Sequence, residues 1–348
     1  MSGLLYFGLT VLIACIGGYF AQKHRWPSGA MTGSMLAVML FNVIFGKAVF
    51  PSELRTVMMI LSGFTIGAGI SRSDLKAMPA LILPIIIVVV GLAGYCIGLG
   101  TLITKVSDIE IATALFATVP GGVSDMAAIS ESLGSNTAQV SILQLWRLMS
   151  IYIVIPPLFR FATKKQSKGE VSADAVKSEK GECVYWRIGL SILCAAIGAL
   201  IFSYIGMSAG IIIGAMLGSA IFGVATKKVE YPDWLKFTNK ILSGMYLGSQ
   251  ITMQEIKTLG QLFLPALMML VGMTLFVLLC GWLLSKITKL NFASGLIAST
   301  PGGLQEMVYL SEDIGANPSQ TAVIQTARLF GVYLFYPPML EFVIGLFN

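Results

Sequence analysis

The sequence predicts an all-α polytopic membrane protein made of two tandem, inverted-topology repeats. Each repeat is expected to hold about five transmembrane helices and one Pro-Gly-Gly re-entrant hairpin. Three observations carry that expectation. Hydrophobic residues make up 56% of the 348 and charged residues only 11%, with a mean hydropathy of +0.82, whereas a soluble domain carries about 25% charged residues. The two halves repeat at a single offset of 181, so Ala117-Thr118-Val119-Pro120-Gly121-Gly122 becomes Ala298-Ser299-Thr300-Pro301-Gly302-Gly303. Both copies of that motif interrupt an apolar stretch with residues that end helices.

The register of the repeat runs without gaps from Gly29 to Pro157. It pairs Gly29 with Gly210, Gly33 with Gly214, Pro51 with Pro232, Gly63 with Gly244, Gly67 with Gly248 and Pro84 with Pro265. Gln144, Arg147 and Tyr152 likewise become Gln325, Arg328 and Tyr333. This is a tandem duplication, and duplicated hydrophobic halves are a common construction of membrane transporters. The halves are residues 1–163 and 184–348, joined by a hydrophilic linker over 164–183 with five Lys against four acids from Lys164 to Glu182.

Apolar runs long enough to cross a ~30 Å hydrocarbon core lie near residues 4–20, 29–46, 55–70, 79–103 and 138–163, and again near 185–204, 210–225, 241–252, 260–285 and 319–345. In the first run, Leu12-Ile13-Ala14-Cys15 looks like a lipoprotein cleavage box. No basic residue precedes the run, however, and it recurs as a helix at 185–204, so a retained first helix is expected. Of Cys15, Cys96, Cys183, Cys194 and Cys280, four lie in apolar runs, where cysteine acts as a small hydrophobe. The Gly-xxx-Gly pairs 29/33, 63/67, 210/214 and 244/248 fit small-xxx-small helix packing. Pro84 and Pro265 are expected to bend their helices, and Trp26, Trp186 and Trp234 to anchor at the interfaces.

Loop charges set the orientation. The basic loops are Lys23/Arg25 and Arg72/Lys76 in the first half, but Lys227/Lys228/Lys236/Lys240 and Lys286/Lys289 in the second, one loop later. A bias that swaps between equivalent loops implies halves inserted upside down relative to each other, hence an odd number of crossings per half. Five crossings each place the linker in the cytoplasm, whereas six would give parallel repeats with the linker outside.

The broken segments, 111–136 and 292–317, are the most informative. Each has a short apolar arm (Ile111 to Thr118; Phe292 to Ser299), then Pro-Gly-Gly, then a polar arm about 18 Å long (Val123–Gly134; Leu304–Gly315). Such polar arms will not face lipid. Either the two tips meet near the midplane and form a binding site, or each motif is a tight turn between packed helices. The duplication and the flanking acids favour the site. It would comprise Pro120, Gly121, Gly122, Pro301, Gly302 and Gly303; the amides around the glycines start the second arms, and helix N-termini attract anions. Asp125 with Glu306 and Glu131 with Glu312 are the candidates for proton or sodium coupling. Arg147 and Arg328 lie deep in their helices, with Gln144 and Gln325 one turn earlier on the same face. Two roles compete for the arginines: neutralising hairpin carboxylates, or binding an anionic solute and tuning a coupling acid.

The net charge of +6 sits in short loops and is not a nucleic-acid footprint. No cofactor or metal is expected, since the single histidine, His24, stands in a loop beside Lys23 and Arg25. The duplicated S/T-x-Pro-Gly-Gly, the acidic stretch with Gly and Asn, and Gln-x-x-Arg resemble the AbrB membrane-protein family. The match runs from Thr118–Gly122 to Arg147 and from Ser299–Gly303 to Arg328. Members of that family are described as regulators of gene expression or as ammonia monooxygenases. A copper or iron oxygenase needs a ligand cluster that one histidine does not supply, and a DNA-binding regulator needs a soluble basic module. The inferred architecture is similar to the citrate- and glutamate-type sodium symporters, an analogy of fold alone.

The expected function is therefore a multi-pass secondary transporter of the bacterial inner membrane. It would move a small, anionic solute with H+ or Na+ by alternating access, and a homodimer is compatible with this. The alternative is a non-transporting membrane regulator or sensor that acts on gene expression indirectly.

Overall fold

The computed structural model describes residues 2–347 except Arg25, Pro27, Ser71, Ser132, 164–184, 205–209, 227–228, 230 and Lys289. The linker and Cys183 therefore lie outside the described residues. Among the described residues all regular structure is helical. In chain order, α1 to α8 are Ser2–Lys23, Gly29–Phe45, Ser52–Ala68, Arg72–Ala77, Ile82–Val106, Ile111–Thr118, Val123–Glu131 and Thr137–Thr163. Helices α9 to α16 are Tyr185–Ser203, Gly210–Thr226, Asp233–Ser249, Met253–Gln261, Phe263–Ile287, Phe292–Ser299, Leu304–Asp313 and Pro318–Phe347. The bounds of α2, α3, α5 and α6 reappear 181 residues later at both ends of α10, α11, α13 and α14.

Among the described residues, six helices are long and apolar enough to cross a bilayer: Leu4–Lys23, Met78–Val106, Thr137–Ile155, Tyr185–Ser203, Phe263–Ile287 and Pro318–Phe347. The molecule is a multi-pass membrane protein. The other four of the ten expected spans fall in α2, α3, α10 and α11, each of 17 residues. Helices α2 and α10 are apolar but have 17 residues each, about 26 Å at 1.5 Å per residue. Helices α3 and α11 open on charged turns, Glu53 with Arg55 and Asp233 with Lys236, which shortens their apolar part. The outer faces are apolar, as lipid requires. On α1, Leu12, Ile16 and Phe20 form an i, i+4 stripe that is more than half exposed. Trp26, Trp186 and Trp234 are also exposed.

The chain forms two compact units, and each draws helices from both sequence halves. Unit one is Met1–Ala77, Pro156–Gln254 and Val308–Ser319; unit two is Met78–Ile155, Glu255–Met307 and Gln320–Asn348.

Unit one is held by glycine seams, where α1 packs on α2, α2 on α11, α3 on α10 and α9 on α10. A Cβ on Gly33 would stand 2.3 Å from the Gly17 carbonyl oxygen, and one on Gly214 would stand 2.2 Å from that of Gly198. Backbones can approach this closely only where there is no side chain. In a membrane, where apolar burial gains nothing over lipid, such close packing drives helix association.

In unit two, α5 packs against α13, with α6 on α5 and α14 on α13. Gly100 and Gly281 make room for Leu115 and Leu296 of the short helices. Pro84 and Pro265 fall in the first turns of α5 and α13. The expected bends are not needed there, because the missing N–H is one that a helix start leaves unpaired anyway. Cys96 and Cys280 are buried in this unit, Cys15 is exposed in α1, and all three are free.

The broken helices and their clamps as a candidate functional site

Helix α6 ends at Thr118 and α7 begins at Val123; α14 ends at Ser299 and α15 begins at Leu304. A helix that ends inside the protein leaves its last carbonyls without intrahelical donors. The following helix supplies them. Gln144 of α8 donates through Nε2 to the carbonyls of Phe116 (2.7 Å) and Val119 (2.8 Å). Arg147, one turn on, forks across the break and donates to the carbonyls of Val119 and Gly121. The second copy repeats the arrangement atom for atom. Gln325 donates to Ile297 (2.9 Å) and Thr300 (3.1 Å), and Arg328 to Thr300 (3.1 Å) and Gly302 (2.8 Å). The short helices are also tied to their neighbours: Thr118 Oγ1 donates to the Cys96 carbonyl and Ser299 Oγ to that of Val277, each at 3.2 Å.

This is a third role for the arginines, distinct from the two that the sequence left competing. The planar guanidinium, with donors in a fixed fork, suits a pair of carbonyls turned to one side. All four clamp residues are buried, and Arg328 lies within electrostatic range of Arg147, Tyr152 and Tyr333. Each clamp leaves functions over: Nε of both arginines and Oε1 of both glutamines are buried with no hydrogen-bond partner. Buried polar atoms are normally satisfied, so these four mark where a further polar group would be welcome.

The polar arms begin on glycine. Met126 N–H donates to the Gly122 carbonyl and Met307 N–H to that of Gly303, which puts Asp125 and Glu306 in the third helical position. A carboxylate there meets the free amides of the helix start. Glu306 is buried and accepts from Gln305 Nε2 at 3.2 Å. Its other oxygen lies 2.0 Å from where a Cβ on Gly303 would stand, so a side chain there would have to displace the carboxylate. The side chain of Asp125 lies outside the described residues. The arms end alike on Gly134 and Gly315, both with positive φ, at 79° and 76°.

Three of the amides assigned to an anion by sequence have acceptors within the protein. Those of Gly121 and Gly302 turn to the carbonyls of Val119 and Thr300, and that of Gly122 donates to the Tyr333 hydroxyl at 3.1 Å. Tyr333 was not singled out by sequence, although its recurrence from Tyr152 at the common offset was the available signal. Tyr333→Phe should leave the Gly122 amide without that acceptor and cost about 1–3 kcal/mol, read as a lower unfolding temperature in detergent. Pro120 and Pro301 are buried at the breaks.

The other two candidate acids fall elsewhere. Glu131 is exposed at the end of α7, and Glu312 belongs to unit one, where it pairs with Lys236.

Residues 30–344 match the model of the family described as transition state regulatory protein AbrB. The chain belongs to the AbrB family. The resemblance drawn from the duplicated motif is thereby borne out, and the match takes in both clamps. Among similar proteins, the Bacillus subtilis (strain 168) protein named uncharacterized protein YhjN is 27% identical over 356 residues, covering 94% of this chain and 90% of its own length. A protein of Escherichia coli (strain K12), named provisionally as regulator AbrB, is 23% identical over 351 residues, covering 96% of this chain and 95% of its own.

Proposed function

We propose that this AbrB-family membrane protein is a secondary transporter of the bacterial inner membrane. It would carry a small, anionic solute by alternating access through two inverted repeats with re-entrant Pro-Gly-Gly hairpins. The observation that carries the reading is the pair of clamps. Two breaks in buried helices, each bridged by a Gln–Arg pair, sit in one compact unit and leave cationic Nε–H donors and amide acceptors unused. A merely structural turn has no need of such leftovers. Irregular backbone at membrane depth is tolerated where it is buried in protein or lines a cavity, and discontinuous helices form the substrate sites of many transporters. Glu306, buried at a helix start, is the favoured carrier of a coupling proton or Na+. The protein is assigned no catalytic chemistry.

The name of the E. coli relative favours a second reading, a membrane regulator that moves no solute. Purified protein in liposomes separates the two. Under an imposed pH or sodium gradient, solute or proton flux is expected, and Gly303→Ala should cut it at least tenfold by displacing the Glu306 carboxylate while helix content stays unchanged. No flux across a panel of small carboxylates, phosphates and sulfonates under either gradient would leave the regulator.

A further inference from the structure

The two copies share a backbone but are not fastened alike. In the first copy, α7 lies wholly within unit two. In the second, the arm crosses over: Leu304–Met307 belongs to unit two and Val308–Ser319 to unit one. Within unit one that segment is held at three successive points. The Tyr309 hydroxyl is buried against Asn239 Nδ2 (2.6 Å) and Thr65 Oγ1 (3.0 Å), and Asn239 also donates to Ser62 Oγ (2.8 Å). Glu312 pairs with Lys236. Asp313 takes Lys240 on both carboxylate oxygens, at 3.1 and 3.2 Å, and accepts the Ser28 amide at the start of α2 at 2.8 Å.

The duplication does not reproduce these holdfasts. In the first copy, Ala128 stands for Tyr309 and Ser132 for Asp313, and Met58 and Met59 stand for Asn239 and Lys240. Arg55, the counterpart of Lys236, lies over the ring of Tyr246 at 5.3 Å instead, and Glu131, the counterpart of Glu312, is exposed. The breaks and clamps thus recur in both copies, whereas the full residue set of these three fastenings belongs to the second alone.

We propose that Val308–Ser319 is a strap that fixes the trailing arm of the second broken segment to unit one, so that α7 is the arm that opens in the working cycle. The notion of a cycle rests on the transport reading; the inequality of the arms does not. The test is amide hydrogen exchange on the full chain in lipid nanodiscs. Residues 308–313 should exchange at least tenfold more slowly than 127–131. Lys236→Glu, a change in a partly exposed pair, should speed 308–313 and leave 127–131 alone. The exchange Lys236→Glu with Glu312→Lys should restore protection, and Asp313→Asn should speed the strap further. Equal rates in the two arms of the unaltered protein, or no response to Lys236→Glu and Asp313→Asn, would overturn the strap. Unequal arms without flux would keep the strap and remove the transporter; flux with equal arms would do the reverse.

Discussion

Arg328→Ala is expected to lower stability more than any other single change at the breaks. The carbonyls of Thr300 and Gly302 both accept from this guanidinium, and a buried carbonyl left without a donor costs about 1–3 kcal/mol. Thr300 keeps Gln325 as a second donor, so the larger share falls on Gly302. Removing a buried charge returns some desolvation energy, and the net loss should be about 2–4 kcal/mol. Arg328→Lys should recover only part, because an ammonium offers a compact point charge in place of the fork. Gln325→Leu should cost less, since the Ile297 carbonyl retains the Thr300 amide. Thermal unfolding in detergent ranks the three. If Arg328→Ala is as stable as the parent, the guanidinium does not support the break.

The second large effect lies on α9, where two glycines should respond with opposite signs. A Cβ on Gly198 would stand 2.1 Å from the Gly214 carbonyl oxygen. This is backbone against backbone, so the helices must separate. Overpacking of this kind costs about 1–3 kcal/mol, and the seam with α10 would open along its length. Gly189 on the same helix has nothing within 4 Å of its Cβ position, so alanine there should gain up to about 1 kcal/mol of helix propensity. If Gly198→Ala and Gly189→Ala behave alike, the seam does not hold α9 to α10.

Much of this was legible in the sequence, and the reason is specific. The short arms ending at Thr118 and Ser299 were placed correctly because Pro-Gly-Gly admits no continuous helix. The seam at Gly63/Gly67 and Gly244/Gly248 was legible because spacing four puts both glycines on one face. The arginines were found but their use was not. Composition marks a guanidinium as costly in a membrane, yet only coordinates reveal that its partners are main-chain oxygens, which have no letter in the sequence. The same blindness hid the role of Tyr333, whose partner is a backbone amide. The strap was invisible for another reason: the repeat that made the rest readable is broken at Tyr309 and Asp313, and departures from a pattern carry meaning only once their partners are known.

The interleaving of the two units has a consequence for biosynthesis. Helices α2 and α3 leave the ribosome more than a hundred residues before α11 and α10, the partners that close against their glycine faces. Contacts so distant along the chain form late. The newborn first half must wait in the bilayer with bare grooves, and the molecule becomes itself only when its second half arrives.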